Sequence, residues 1–194
     1  MIKNGFSGTF FKPKEDDPWK QFSREIDAEY RSWWNGTEVV ANVKNRAITF
    51  HSIYNVGDDD FLSNRDIVSA SYLSKDGFQF NIYRKGVFSK IGELLGMRMN
   101  MDVGYLEFER DFIIKSNNEF KVRALLANPI IRQLIIQSLT TTGGFSLNRD
   151  ELKLVSKIGS GVAQLRSFYK LFEETLNHLS DTGSTCETEL PGTE

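Results

Sequence analysis

The sequence predicts an α+β fold: an antiparallel sheet of about five to seven strands, with an N-terminal helix, a central kinked helix and a C-terminal helix packed on it. Three observations carry this. Apolar residues recur at helical steps near both ends and again past the middle of the chain. Between those regions they alternate with a period of two. Short turn-forming stretches separate the alternating runs, which favours hairpins and hence antiparallel pairing.

The first helix is expected over Pro18–Trp34, with Asp17 as its N-cap and Pro18 in the first helical position. Trp19, Phe22, Ile26, Tyr30, Trp33 and Trp34 then form one aromatic stripe, and Asn35-Gly36 stops it. Such a stripe docks onto a sheet or, if left open, receives a lipid or a partner. Strands are expected at Glu38–Lys44, Ala47–Asn55, Ile67–Lys75, Phe78–Arg84 and Gly104–Lys115, with Asp76-Gly77 as a hairpin turn. Phe78, Phe80 and Ile82 share one face, and Gln79, Asn81 and Tyr83 the other, so one face of the sheet is expected to be wet. Val87–Gly96 fits a short helix or an extended excursion equally well.

The second helical region opens at Asn117-Asn118-Glu119, and Asn128-Pro129 divides it into two helices in series or one kinked helix. After Gly143-Gly144, Phe145–Leu147 and Leu152–Ile158 read as a strand pair. Gly159-Ser160-Gly161 precedes the last helix, in which Leu165, Phe168, Tyr169, Phe172, Leu176 and Leu179 keep register.

The chain has 194 residues, 40% hydrophobic and 26% charged, which excludes wholesale disorder and fits one domain over residues 1–180. Residues 1–16 read as an N-terminal arm, and 181–194 as a flexible tail with little to bury. With Lys+Arg 24 against Asp+Glu 26, no charge excess points to nucleic acid. The longest unbroken apolar run is Ala124–Ala127, far below the ~20 residues that span a bilayer. The opening residues lack a signal-peptide core, so a cytoplasmic location is expected. Cys186 is the one cysteine, which excludes an internal disulfide and a thiolate zinc cage.

Few residues offer reactive chemistry. Only two histidines are present. His51 falls in a strand beside Thr49 and Ala47, and His178 falls near the end of the last helix, where the dipole favours a cation. Asp58-Asp59-Asp60, with Asp66 nearby, could supply hard oxygen ligands to a divalent ion, although consecutive side chains fan apart and a solvated turn is the simpler reading. No nucleophile elbow or Walker loop occurs, and Gly159-Ser160-Gly161 lacks the lysine of a phosphate loop. Arg84, Lys85, Lys90 and Arg98 surround Met97, Met99 and Met101, a mixture suited to an adaptable partner surface or to an irregular core gap.

The stretch Leu106-Glu-Phe-Glu-Arg-Asp-Phe-Ile-Ile-Lys-Ser-Asn-Asn-Glu, followed by Ala124-Leu-Leu-Ala-Asn-Pro-Ile-Ile, resembles uncharacterised bacterial domain families. These show a Phe-x-x-x-Phe strand, a polar cap and a Leu-Leu…Pro helix, then a strand pair like Phe145–Leu147 with Leu152–Leu154. The resemblance covers roughly residues 78–158 and implies packing roles: Phe108 and Phe112 on the sheet, Asn117 or Asn118 as a cap, and Leu125, Leu126 and Ile131 sealing the helix. Some relatives sit beside transmembrane helices, a role that does not carry over. The families have no assigned activity, so the resemblance implies no site and no cofactor.

The resulting expectation is a non-catalytic, soluble bacterial binding module with no cofactor, whose partner is a protein or a small apolar ligand. Its surfaces are Trp19, Trp33 and Trp34 on the stripe, and Arg84, Lys85, Lys90, Arg98 and Met99 on the basic segment. One alternative is a metal-dependent hydrolase built on Asp58, Asp59, Asp60 and Asp66, with His51. Another is phosphate or nucleic-acid binding through the basic segment.

Overall fold

A computed structural model of the chain describes residues 17–43, 46–53, 65–85, 101–139, 143–157 and 161–184. The elements in order are α1 (Pro18–Glu25), β1 (Glu29–Trp33), β2 (Gly36–Val43), β3 (Arg46–Ile53), β4 (Arg65–Ser71), β5 (Phe80–Arg84), α2 (Leu106–Asp111), β6 (Phe112–Ser116), α3 (Glu119–Ala127), α4 (Pro129–Ser138), β7 (Gly143–Leu147), β8 (Glu151–Lys157) and α5 (Val162–Asp181). The strands form one fully antiparallel sheet in the order β1-β2-β3-β4-β8-β7-β5-β6. The α+β class and the antiparallel sheet are as the sequence predicts, with eight strands in place of five to seven.

The extra strand comes out of the expected first helix. Asp17 caps α1 as anticipated, accepting from the Trp19 N–H at 2.9 Å, but the helix stops at Glu25. Asp27 takes φ 51, a left-handed conformation that Asp tolerates better than most residues. Beyond it, Glu29–Trp33 pairs with Gly36–Val40 across a two-residue turn. Ile26, Tyr30 and Trp33 satisfy helical spacing by count. The β preference of Tyr and Trp, together with a partner strand that begins after a two-residue turn, overrides it.

Two other expectations change. Asp76 Oδ1 accepts from the Phe78 N–H at 2.9 Å, so Asp76-Gly77 does turn the chain, yet β4 and β5 are not neighbours. The β7–β8 hairpin lies between them. The expected strand Gly104–Lys115 is half helix, because Glu109 Oε1 gathers the N–H groups of Val103, Gly104 and Tyr105 at 2.6–3.2 Å and fixes the first turn of α2. Phe108 therefore stacks on Phe112 from a helix (4.7 Å between ring centres) and is not a strand residue. The central helical region is two helices in series. Asn128 ends α3 and caps α4, accepting from the Ile130 N–H at 2.9 Å. Val87–Gly96 lies outside the described residues.

The core follows from strand register. Tyr30, Val39, Phe50, Val68, Leu154, Phe145, Ile82 and Ile114 face one another in turn, one per strand, across the whole sheet. All but Tyr30 are at most 1% exposed. A parallel row of Ala41, Ile48, Ala70, Leu152, Leu147 and Phe80 is equally buried. Helices cover this face: Phe22 of α1 meets Phe50 edge-on at 5.0 Å, and Phe172 of α5 meets Phe145 at 5.9 Å. Arg166 of α5 clamps Glu25 of α1 through two 2.7 Å bonds, and that bond holds the Glu25 carboxyl below its usual range. Gly143 takes φ +137, and a Cβ there would lie 1.8 Å from the Val155 carbonyl oxygen, so the first residue of β7 has to be glycine.

At the far end of α5, Ser184 is buried. Its carbonyl accepts from Tyr72 Oη at 2.8 Å, and its Oγ accepts from Lys121 Nζ at 2.8 Å. Lys121 also pairs with Asp76. Burial pushes the Asp76 carboxyl up, but its bonds from Lys121 and the Phe78 N–H outweigh that and hold it below the ordinary value.

Phe50→Ala, at the centre of the row, is expected to cost about 3–5 kcal/mol in urea unfolding. Trp34→Ala, at the rim, is expected to cost about 0.5 kcal/mol or less. Comparable losses in both would contradict this placement of the core.

Candidate functional site

The side of the sheet away from the helices carries a second set of rows. Arg31, Glu38, His51, Ile67, Val155, Gly144, Tyr83 and Ile113 succeed one another across the eight strands. Val40, Ile53, Ile67, Val155 and Ile113 are only half-buried on this face. Tyr83 and Asn81 are buried, contrary to the wet face expected for β5, and Lys115 Nζ lies 5.5 Å from the Tyr83 ring centre. No described residue takes the Asn81 Nδ2 hydrogens.

The corner of this face at the β1–β2 turn concentrates exposed aromatic surface. Trp33 is 41% exposed and Trp34, in the turn itself, 77%. Both were expected on a helix with Trp19. Instead Trp19 is buried on α1, Trp33 ends β1 and Trp34 lies in the turn that follows. Gly36 sits opposite Trp33, and a Cβ on it would lie 3.0 Å from Cε2 and Cζ2 of the indole. The glycine thus leaves a bed on which the Trp33 ring rests against the backbone. The ring leans on His51, 5.3 Å away at 57°. One register step along, Arg31 donates to Glu29 at 2.9 Å from Nη2 and at 3.0 Å from Nε, and reaches Glu38 at 3.5 Å. The Glu29 hydrogen bond raises the Arg31 pKa further, so the guanidinium stays charged.

The edge strand that presents these groups is fastened from the other side. Tyr30 Oη donates to Asp17 Oδ2 at 2.6 Å, while Asp17 Oδ1 caps α1, so one carboxylate ties the helix start to β1. Burial, then the Asp17 bond, push the Tyr30 phenol up to about 12.

The remaining candidates separate. Asp66 is buried on the helix-covered face, where Ser52 Oγ donates to its Oδ1 at 2.8 Å. Thr37, Ser52, Asp66 and Ser156 lie in one register row there, a polar edge beside the apolar rows that strand alternation did not foretell. His51 pairs with Ile67 and so lies on the opposite face from Asp66; the fold does not bring the two together. Asp58, Asp59 and Asp60 lie outside the described residues, among which no group of three or more His, Cys, Asp or Glu side chains converges. Arg84 is engaged within the fold, 3.4 Å from the Leu139 carbonyl, 3.9 Å from Asp111 and 5.9 Å from the Phe112 ring centre. Lys85 is exposed. Lys90, Met97, Arg98, Met99 and Cys186 lie outside the described residues, and Met101 is buried in the core. His178 is half-buried on α5, and burial pushes its pKa below the ordinary value against the pull of Asp181.

No family model matches the chain, and no curated protein matches it. Among solved structures, the mycobacterial trehalose monomycolate transport factor A, TtfA, is similar in fold, with a TM-score of 0.57 at 11% identity, covering 84% of this chain and 92% of that one. No helix among the described residues is long and apolar enough to cross a membrane.

The Tyr30 shift fixes a pH dependence. Because its folded pKa is raised, its contribution to stability is complete below the unfolded value of about 10 and is lost as pH climbs from there to about 12. Denaturant midpoints measured across that window are expected to fall more steeply for the parent chain than for Tyr30→Phe. Equal slopes would contradict the Asp17–Tyr30 tie.

Proposed function

We propose that the chain is a non-catalytic binding module that works through the open face of its sheet, at the corner formed by Trp33 and Trp34. The observation that carries this is the unequal treatment of the two faces. One is closed by helices over continuous apolar rows, whereas the other keeps half-buried Val40, Ile53 and Ile67 beside two exposed tryptophans. Large exposed apolar patches mark contact sites, and Trp is enriched among the residues that dominate binding. On this face His51 leans on Trp33.

The similarity in fold to a transport factor fits a protein that carries or contacts rather than transforms. A partner with an apolar surface suits the site better than nucleic acid. Arg31 is already bridged to Glu29 and Glu38, and Arg84 is held by Asp111 and the Leu139 carbonyl.

Thermal unfolding in the presence of fractionated cell extract tests the reading. With extract divided by ultrafiltration into small-molecule and macromolecular fractions, one fraction should raise the Tm of the parent chain. The rise should be absent in a Trp33→Ala, Trp34→Ala double variant whose own Tm lies within a few degrees of the parent's. A rise of equal size in both chains, or none with either fraction, would overturn the reading.

A further inference from the structure

The two terminal strands of the sheet differ in how their outer edges are used. At the β6 edge the Met101 N–H donates to the Ile114 carbonyl at 3.0 Å, so the chain itself closes part of that edge. At the β1 edge, among the described residues, no backbone bond from outside the sheet reaches Tyr30 or Ser32, and Glu29, Arg31, Ser32 and Trp33 are exposed. We propose that β1 is a self-association edge: two copies of the chain join their β1 strands antiparallel about a twofold axis at Tyr30, and the sheet continues from one molecule into the next. This goes beyond the open-face reading and does not depend on it, because it uses the rim of the sheet and not its surface.

Backbone parity decides which groups the edge offers. The two-residue turn Trp34-Asn35 closes on the Trp33–Gly36 pair, which in such a hairpin is the hydrogen-bonded kind. Trp33, Arg31 and Glu29 therefore direct their N–H and C=O groups at β2, and Tyr30 and Ser32 direct theirs outward. An unpaired outward row is a template for another strand. A twofold axis at Tyr30 pairs its N–H and C=O with those of Tyr30 in the second copy.

Side chains then select among the registers that parity permits. Antiparallel pairing can be centred on Tyr30, Arg31 or Ser32. Centring on Arg31 sets two guanidiniums face to face, which like-charge repulsion opposes. Centring on Ser32 sets Arg31 against Trp33 and forms no ion pair. Centring on Tyr30 sets Glu29 opposite Arg31 of the second copy, and Arg31 opposite its Glu29, in the non-hydrogen-bonded positions where side chains approach most closely.

Little has to be given up to form these pairs. Within one chain Arg31 lies 2.9 Å from Glu29 and 3.5 Å from Glu38, but the Arg31 and Glu29 side chains are each 60% exposed, where an ion pair contributes little. In the joined sheet each Arg31 keeps Glu38 of its own chain on one side and gains Glu29 of the other chain on the other, so charges alternate in sign across three strands. The axis stands normal to the sheet, which leaves both helix layers on one side and both Trp33–Trp34 corners on the other. One short strand from each copy makes a small interface, so a dimer with Kd of about 10–100 μM is expected.

The test is sedimentation velocity of the full chain from about 1 μM to about 1 mM, a range that brackets this affinity. A monomer–dimer equilibrium is expected. Arg31→Glu and Glu29→Arg each set like charges across the axis and should each weaken the dimer about tenfold or more. Mixed in equal amounts, the two variants should associate again at close to the parent's strength, because each supplies the charge that the other lacks. Ser32→Pro removes an outward N–H and blocks the approach of the partner strand without touching the β1–β2 ladder, so it should abolish the dimer while the Tm of the monomer stays within a few degrees of the parent's. A parent chain that remains monomeric over the whole range would overturn the inference. The same holds for a dimer undiminished by Ser32→Pro, or for single variants that associate no better together than apart. None of these outcomes decides the Trp33–Trp34 reading, which stands or falls on the extract experiment.

Discussion

Eight strands each place one apolar side chain on a single line across the helix-facing side of the sheet, from Tyr30 at one edge to Ile114 at the other. Since side chains alternate strictly between faces, a slip of one residue in any strand would send its member of the line to the open side and bring a neighbour such as Thr49, Ser69 or Lys153 inward. That penalty holds the register, and register decides what each face displays. The helices then follow as a lid: α1 and α5 reach the line through Phe22 and Phe172, and the Glu25–Arg166 clamp keeps the two helices together. The open face is the complement of the same pattern. Its content is fixed by whichever residues are left over.

Much of this could be read from the chain, and where it could not, the physical reason is local ambiguity. The alternation in Val39–Val43, Ile48–Ile53 and Leu152–Ser156 leaves one choice of inward residues, and the fold uses it. Asp17-Pro18, Asn118 and Asn128-Pro129 act where capping chemistry puts them. The misreadings occur where two periods fit the same letters. Tyr30 and Trp33 lie at helical distance from Trp19 and Phe22, but the pairing of Glu29–Trp33 with β2 is a long-range gain that spacing cannot register. Leu106–Lys115 alternates convincingly, and only the reach of Glu109 to three backbone N–H groups shows why its first half coils. Asp76-Gly77 turns the chain but cannot announce that a hairpin from seventy residues further on will fill the space beside β4.

The site divides in the same way. Trp33 and Trp34 stand out in the sequence as a candidate contact surface, but on a helical stripe shared with Trp19. Their exposure follows from the strand that replaces the end of that helix. Gly36 carries a signal that the sequence offers as the stop of the first helix, whereas in the fold its missing side chain is the bed of the Trp33 ring. Asp66 and His51, joined in one candidate metal set by the sequence, are parted by the alternation that builds the core. The polar row of Thr37, Ser52, Asp66 and Ser156 needed the register of four strands before its members could be seen as neighbours.

Everything turns on the sheet having one sealed side and one open side, and hydroxyl-radical footprinting reads that difference residue by residue. Fast oxidation is expected at Trp33 and Trp34, intermediate rates at Ile67 and Val155, and near-complete protection at Trp19, Phe50 and Phe145. Protection of Trp33 and Trp34 equal to that of Trp19 would mean that the corner is covered and that the two faces do not differ as described.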